Sequence, residues 1–235
     1  MAGNKGAIAI RLDYGTTSMC FVTAHLAAGH ANIDQRNMDY HTIDHGLRFT
    51  RGRKIADHDL VFWASDSNYR IGLPNEEVKR LISEKRWGIL YENDQLNLGM
   101  IAGETFRYYN EGPINFPPTY KFDNGTDQYD TSEKQRIPAW TDRILYRGQG
   151  LKLLDYKSAD LKMSDHRPVY ATFQVQCRIV EDVKREQLAR EIYEKRKNMI
   201  GEVLSGDVEK YIVNKTKRTS GLSKFANYSA TTIVR

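Results

Sequence analysis

The chain has 235 residues, of which 40% are apolar and 11% are aromatic, and this composition excludes a disordered protein and allows a substantial core. The net charge of +5 belongs to residues 174–235, which hold 13 Lys and Arg against 8 Asp and Glu, whereas residues 1–173 are neutral. No apolar run approaches the ~20 residues of a membrane span, and Cys20 and Cys177 lie in no metal or redox spacing. We therefore expect a cytoplasmic protein without a transmembrane segment.

Strand-like runs alternate with helical patterns along residues 1–173. The strand-like runs are rich in apolar, β-branched and aromatic residues and cover 7–11, 19–24, 59–64 and 168–175. The helical patterns cover 33–49, with Asn32 as the expected N-cap, and 75–87. Strands separated by helices predict one layered α/β domain over residues 1–173.

The sequence pattern predicts that residues 174–235 are a charged tail that follows the domain. The segment 180–204 predicts an exposed helix with a narrow apolar stripe, and the run NKTKRTSGLSK after it predicts a polar, mobile segment. The basic end of the tail either is an ordinary solvated surface, which the composition favours, or makes a peripheral contact with an anionic membrane. The tail identifies no protein partner.

The run VFWASDSNYR, residues 61–70, ends a strand-like segment in an acid and an amide, Asp66 and Asn68. If the strand continues, its period of two directs both side chains to the same side of the sheet. There an aspartate suits a general base or a metal ligand, and an asparagine suits a phosphoryl oxygen. The alternative is an Asx turn that only ends the strand.

Three further runs place polar residues beside strand-like segments. In SDHRPVYATF, Asp165 and His166 either bind a metal or form a surface turn. In RIPAWTDRILYRG, Asp142 and Arg143 either present an acid at a strand start or form a surface ion pair. His25 is either a core histidine or a phosphate contact. Because all of these residues lie at the ends of strand-like runs, a common site is favoured.

These motifs, together with GNKGAIAIRLDY, VTAHLAAG and PPTYKFDNGTDQYDTSEKQRIPAW, resemble the inositol polyphosphate 5-phosphatases, in particular the phosphatase domain of fungal synaptojanin-like proteins. The resemblance covers residues 3–173, and several long motifs occur in the family's order. It implies a four-layer α/β sandwich of the endonuclease/exonuclease/phosphatase superfamily. It also implies Mg²⁺-dependent removal of the 5-phosphate from phosphoinositides such as phosphatidylinositol 4,5-bisphosphate, with the head group at a membrane surface as the partner.

The resemblance also implies catalytic roles for individual residues. Asp66 would activate the attacking water, and Asn68 would hold the scissile phosphate. His166, oriented by Asp142, would stabilise the phosphate charge, and His25 would contact the phosphate. Together these groups would favour in-line displacement at a dianionic centre, where charge neutralisation contributes most of the rate.

Further residues correspond to the family's metal and substrate contacts. Asp165 would lie near the metal. The residues that would bind substrate are Tyr120, Lys121, Lys134, Arg136 and Arg143. The first four of them would surround a retained 4-phosphate. Arg and Lys neutralise a phosphate, and a tyrosine hydroxyl donates a hydrogen bond to it, so the resemblance implies a substrate with a 4-phosphate.

The sequence departs from the family in two respects. The family domain is longer at its amino end, where it carries an asparagine of the site and the main glutamate ligand of Mg²⁺, and neither motif has a match here. We therefore expect an N-terminally incomplete domain with exposed apolar strand edges and with little or no phosphatase activity from this chain alone. In addition, Ser65 stands where the family has glycine, and a serine would shift Asp66 if the backbone there needs the freedom of glycine.

Two other classes of function remain open. A non-catalytic phosphoinositide-binding module, or an inactive fragment, would lose hydrolysis, so binding without turnover separates it from an enzyme. A nuclease of the same superfamily is disfavoured, because the neutral residues 1–173 lack the broad basic surface of nucleic-acid-binding proteins. We therefore expect no nucleic acid partner.

Overall fold

The computed structural model describes residues 4–200 and 223–234. Of these residues, those within 1–12, 18–175 and 229–235 form one compact unit, and those within 13–17 and 176–228 form another. None of the described helices is both long and apolar enough to cross a membrane.

A five-stranded sheet has the strand order β1-β2-β3-β5-β4. Its strands are β1 (Gly6–Tyr14), β2 (Thr17–His25), β3 (Leu60–Asp66), β4 (Asn110–Glu111) and β5 (Asp142–Gly148). β2 and β3 run parallel, whereas β5 is antiparallel to β3. The carboxyl ends of β2 and β3 therefore meet the amino end of β5 at one edge of the sheet.

Helices fill the connections between these strands. They are α1 (Ile33–Gly46), α2 (Asn75–Ser83), α3 (Trp87–Glu92) and α4 (Gln95–Ala102), with short 3₁₀ turns at Thr50–Gly52 and Ile55–Asp57. The pattern at 33–49 forms α1, but Asn32 does not cap it, because its side chain donates to the carbonyl of Ala28 instead. The pattern at 75–87 is interrupted by Lys85, whose left-handed backbone (φ 54°) cannot continue a helix.

A second sheet has the strand order β6-β7-β8. Its strands are β6 (Leu151–Ser158), β7 (Val169–Val180) and β8 (Ser223–Val234), and α5 (Asp182–Ile200) follows β7. The strand predicted at 168–175 thus continues to Val180, so the domain boundary predicted at residue 173 lies within a strand. The predicted tail helix is observed as α5 up to residue 200. Most of NKTKRTSGLSK lies outside the described residues, and its last two residues begin β8.

β3 is buried on both faces, as its continuous apolar run LVFWA predicts for a strand that is covered on each side. On one face, Val61 and Trp63 belong to a buried cluster that includes Tyr40 of α1. On the other face, Phe62 meets the ring of Phe173 in β7 edge-on, with ring centroids 5.1 Å apart. β3 therefore connects the helices to the second sheet, and the predicted α/β class is confirmed.

Phe173→Ala should lower the free energy of unfolding by about 3–5 kcal/mol, because it removes a fully buried ring from the contact between the two sheets. Urea unfolding followed by circular dichroism measures the change. The control is Ile101→Ala in α4, a side chain that is 76% exposed, which should change the free energy by less than about 0.5 kcal/mol. A loss below about 1 kcal/mol for Phe173→Ala would argue against this ring as the main contact between the sheets.

Candidate active site

Strand register places three of the predicted residues in a row. His25 at the end of β2 lies opposite Asp66 at the end of β3, and Asp66 lies opposite Asp142 at the start of β5. Nε2 of His25 is 3.3 Å from Oδ2 of Asp66. A cavity of about 570 Å³ adjoins these residues, and Ile8 and Ile10 of β1 form part of its wall.

His166 joins this row from the loop before β7. Its Nδ1 is 2.7 Å from Oδ2 of Asp142, an atom that also accepts a hydrogen bond from the hydroxyl of Thr141. Three side chains each offer one potential metal-ligand atom: Asp66, Asp142 and His166. These three atoms lie within 4.8 Å of one another. Residues 24 to 100 positions apart in the sequence thus form one cluster, which we call the Asp-Asp-His cluster.

The surroundings of the cluster change its protonation. Burial, together with the nearby charge of Asp142, raises the pKa of Asp66 to about 6. Burial alone lowers the pKa of His166, but the hydrogen bond to Asp142 and the charges of Asp142 and Asp66 raise it above its ordinary value. Burial and the charge of Lys5 lower the pKa of His25. The cluster therefore favours a charged His166 beside a neutral His25.

Asn68 lies close to Asp66, but not through strand periodicity. β3 ends at Asp66, and Asn68 has a left-handed backbone (φ 55°). The backbone N–H of Asn68 donates to Oδ1 of Asp66 at 3.1 Å, which is the Asx turn that the sequence left as the alternative. The backbone N–H and the hydroxyl of Ser67 both donate to the carbonyl of Thr141, so this turn is attached to the start of β5. Of the two alternatives, the structure therefore shows the turn and not a strand that continues to Asn68.

Ser65 fits a regular strand. It pairs with Arg143 in an uninterrupted ladder, on the face of β3 opposite to Asp66. Its hydroxyl accepts a hydrogen bond from Nε1 of Trp63 at 3.2 Å, and the residue is 1% exposed. The backbone at this position does not need glycine, and the serine does not displace Asp66 from its register.

Arg143 does not face the Asp-Asp-His cluster. It lies on the same face as Ser65, and its side chain is 1% exposed. Its guanidinium forms ion pairs with Asp94 at 2.9 Å and Glu111 at 2.5 Å. Burial alone lowers the pKa of Arg143, but these two carboxylates raise it well above its ordinary value. The substrate contact expected for Arg143 is therefore corrected to a buried ion-pair network.

The residues expected to bind a 4-phosphate lie in one loop. The ring of Tyr120 contacts His166, with centroids 4.7 Å apart. Nζ of Lys121 is 3.9 Å from Oδ1 of Asp130, and Oδ2 of Asp130 accepts the backbone N–H of Arg136 at 2.8 Å. The side chains of Lys134 and Arg136 are exposed. Asp130, which the sequence analysis missed, connects both halves of this loop, and we call residues 120–136 the basic loop.

Two further residues adjust the expected site. Asp165 lies beside His166 and accepts a hydrogen bond from the hydroxyl of Ser164, but its carboxylate is not one of the three clustered ligand atoms. Lys5, which the sequence analysis did not assign, donates a hydrogen bond from Nζ to Nε2 of His25. Its signal was the motif GNKG, in which a lysine stands directly before a strand.

A family model described as endonuclease/exonuclease/phosphatase family 2 matches residues 1–172. The strand order, the Asp-Asp-His cluster and this match define the class of protein. The chain belongs to the endonuclease/exonuclease/phosphatase family 2, and the superfamily predicted from the sequence is confirmed.

Similar proteins support the predicted resemblance to inositol polyphosphate 5-phosphatases. The chain is 54% identical to phosphatidylinositol 4,5-bisphosphate 5-phosphatase INP51 of Saccharomyces cerevisiae, over 83% of this chain and 21% of the relative. It is 54% identical to inositol-1,4,5-trisphosphate 5-phosphatase 1 of Schizosaccharomyces pombe, over 85% of this chain and 18% of the relative. The chain therefore spans about a fifth of the length of these relatives.

Solved structures give the same fold. The inositol polyphosphate 5-phosphatase domain of SPsynaptojanin, in complex with inositol (1,4)-bisphosphate and a calcium ion, matches with 54% identity and a TM-score of 0.79, over 84% of this chain and 59% of that chain. A Cimex nitrophorin in a ferrous NO complex matches with 29% identity and a TM-score of 0.58, over 72% of this chain and 59% of that chain. The resemblance to the 5-phosphatase domain is confirmed.

Asp142→Asn should lower the pKa of His166 in the metal-free chain, because it removes the negative charge beside Nδ1 while it keeps an oxygen there. An NMR titration of the histidine C–H resonances in EDTA measures the pKa, and His166→Gln assigns the signal. Asp155→Asn, at a partly exposed acid in β6 that pairs with Lys157, is the matched control and should leave the pKa unchanged. Equal pKa values in the wild type and Asp142→Asn would contradict the electrostatic role of Asp142.

Proposed function

We propose that this chain carries a site that hydrolyses the 5-phosphate of phosphoinositides such as phosphatidylinositol 4,5-bisphosphate, with Mg²⁺ as the cofactor. The observation that carries the proposal is the Asp-Asp-His cluster, in a chain that is 54% identical to relatives named as 5-phosphatases. The substrate is a head group at a membrane surface, which a cytoplasmic protein reaches without a transmembrane segment.

Asp66 acts as the general base. Its pKa of about 6 lies near a neutral working pH, where a carboxylate is ionised and still basic enough to accept a proton from water. The water oxygen forms a bond to phosphorus, and the bond between phosphorus and the oxygen on C5 of inositol breaks. The proton of the water goes to Asp66, and the inositol oxygen takes a proton from the solvent.

His166 and Asn68 hold the phosphoryl group during this step. Asp142 keeps Nδ1 of His166 protonated, so that a positive imidazolium faces the negative oxygens of the phosphate. Asn68 donates a side-chain N–H to another of these oxygens. His25, whose Nε2 accepts a hydrogen bond from Lys5, is neutral and contacts the phosphate at its edge.

The donor set of the cluster fits a divalent cation. Two of its three ligand atoms are carboxylate oxygens, the kind of ligand that Mg²⁺ prefers, and Asp165 would lie near the ion beside them. Asp165 adds a further negative charge beside His166. A bound Mg²⁺ would supply charge neutralisation for the phosphate.

The basic loop selects the substrate by its 4-phosphate. Tyr120 donates a hydrogen bond, and Lys121, Lys134 and Arg136 contribute positive charge. Asp130 holds the loop, because it accepts the backbone N–H groups of Ser132 and Arg136 and is itself 2% exposed.

Phosphate release from phosphatidylinositol 4,5-bisphosphate vesicles tests the proposed function. The purified chain should release the 5-phosphate with Mg²⁺ and not with EDTA. Asp66→Ala should lower the rate by at least about 100-fold, the usual contribution of a general base. Asp155→Ala is the control and should keep the wild-type rate.

Release that persists in EDTA or in Asp66→Ala would contradict the proposal. A folded chain that binds the vesicles through the basic loop but releases no phosphate would favour the second candidate, a non-catalytic phosphoinositide-binding module. Lys134→Ala then separates specific head-group binding from adsorption.

Asp130→Ala should weaken the discrimination of a 4-phosphate, because it leaves the N–H groups of Ser132 and Arg136 without their acceptor. We expect KM for a soluble head group with a 4-phosphate to rise roughly tenfold, about 1.4 kcal/mol. KM for the matching head group without a 4-phosphate should change little. An equal rise for both head groups would mean that Asp130 does not act through the basic loop.

A further inference from the structure

Arg70 is a buried cation that the proposed mechanism does not use. It is 7% exposed, and in the part of the chain that the structure describes no carboxylate lies within ion-pair distance of it. Buried arginines are rare without a partner, because removal of the charge from water is costly. Arg70, two residues after Asn68, therefore needs partners other than a carboxylate for its buried charge.

The guanidinium of Arg70 donates two hydrogen bonds to Asn68. Nε donates to the backbone carbonyl of Asn68 at 3.0 Å, and Nη2 donates to its side-chain Oδ1 at 2.5 Å. The rigid fork of an arginine suits such a two-point contact better than the single ammonium of a lysine. The backbone N–H of Arg70 donates to Oε1 of Gln95, and this hydrogen bond fixes the backbone of Arg70.

These contacts determine which way the side-chain amide of Asn68 points. A guanidinium has only donors, so the atom that faces Arg70 has to be the amide oxygen. The carbonyl of Leu26 has only acceptors, so the atom that faces it has to be Nδ2, which lies 3.2 Å away. Both constraints require the same orientation. The second N–H of Nδ2 has no acceptor among the described residues and remains free for a phosphoryl oxygen.

Arg70 also lies over the ring of Tyr120, with its central carbon 4.6 Å from the ring centroid. The same ring contacts His166. A cation over an aromatic face is attracted by the ring, so this contact helps to fix the guanidinium of Arg70 beside Asn68.

We propose that Arg70 is a positioning residue that fixes the orientation of the Asn68 amide and so presents one N–H of Asn68 to the phosphoryl group. The inference rests on the proposed function for the identity of the phosphate. The contact between Arg70 and Asn68 is independent of it, and the two can be tested separately.

Kinetics in a double-mutant cycle test the proposal. In the 235-residue chain with Mg²⁺, Arg70→Met should lower kcat by about 10- to 100-fold, with KM within about threefold, because the misplaced amide acts on the reacting phosphate. In the Asn68→Ala background, Arg70→Met should change kcat by less than about threefold, since two residues that act as a unit are not additive. Arg80→Met, at an exposed arginine of α2, is the control and should keep the wild-type kcat.

NMR of the Asn68 side chain provides a readout that does not depend on activity. In chains labelled with ¹⁵N-asparagine, Asn68→Ala assigns the NH₂ pair of Asn68. This pair should shift in Arg70→Met and in Arg70→Lys, and it should stay in place in Arg80→Met. Arg70→Lys keeps the buried charge and serves if Arg70→Met does not fold.

The outcomes separate the two proposals. Absence of phosphate release from the wild type would refute the proposed function. The shift of the Asn68 NH₂ resonances would still decide whether Arg70 positions Asn68. An unchanged NH₂ pair in Arg70→Lys, or effects of Arg70→Met and Asn68→Ala on kcat that multiply, would overturn the inference.

Discussion

The pairing of β3 with its two neighbours is the constraint on which the rest of the site depends. Its ladder with β2 and β5 sets His25, Asp66 and Asp142 side by side. Because successive side chains of a strand alternate between faces, a slip of one residue would turn Asp66 toward the buried face that Trp63 and Ser65 occupy. The aromatic contacts that bury β3 on both sides therefore also hold the register of the Asp-Asp-His cluster.

The two faces of β5 carry two separate charge systems. On one face, Asp142 holds His166 and lies close to Asp66, which raises the pKa of Asp66. On the other face, Arg143 is buried with Asp94 and Glu111. Loss of one partner from such a buried pair costs roughly 3–5 kcal/mol, because it leaves a charge without compensation. The network around Arg143 thus stabilises the strand that presents Asp142, which gives an arginine in the motif AWTDR a structural role.

Because a nitrophorin shares this fold, the fold alone does not indicate an activity, and only the residues of the site do. In this chain the site is continuous: Arg70 contacts both Asn68 and Tyr120, and Tyr120 contacts His166. The groups proposed to hold the reacting phosphate and those proposed to bind a second phosphate are therefore connected through one arginine and one tyrosine. Such a connection allows the two parts of the site to be positioned together.

The sequence by itself determined the α/β class, the strand ends at which acids occur, and the motifs that identify the family, because apolar patterns and motif order are local. Only the tertiary structure decided that Asn68 leaves the strand in a turn, that Arg143 turns away from the cluster, and that Asp130 organises the basic loop. Two of these outcomes depend on a partner distant in sequence: the turn at Asn68 is attached to Thr141, and Arg143 is paired with Asp94. Register and burial select such partners, and a one-dimensional pattern contains neither.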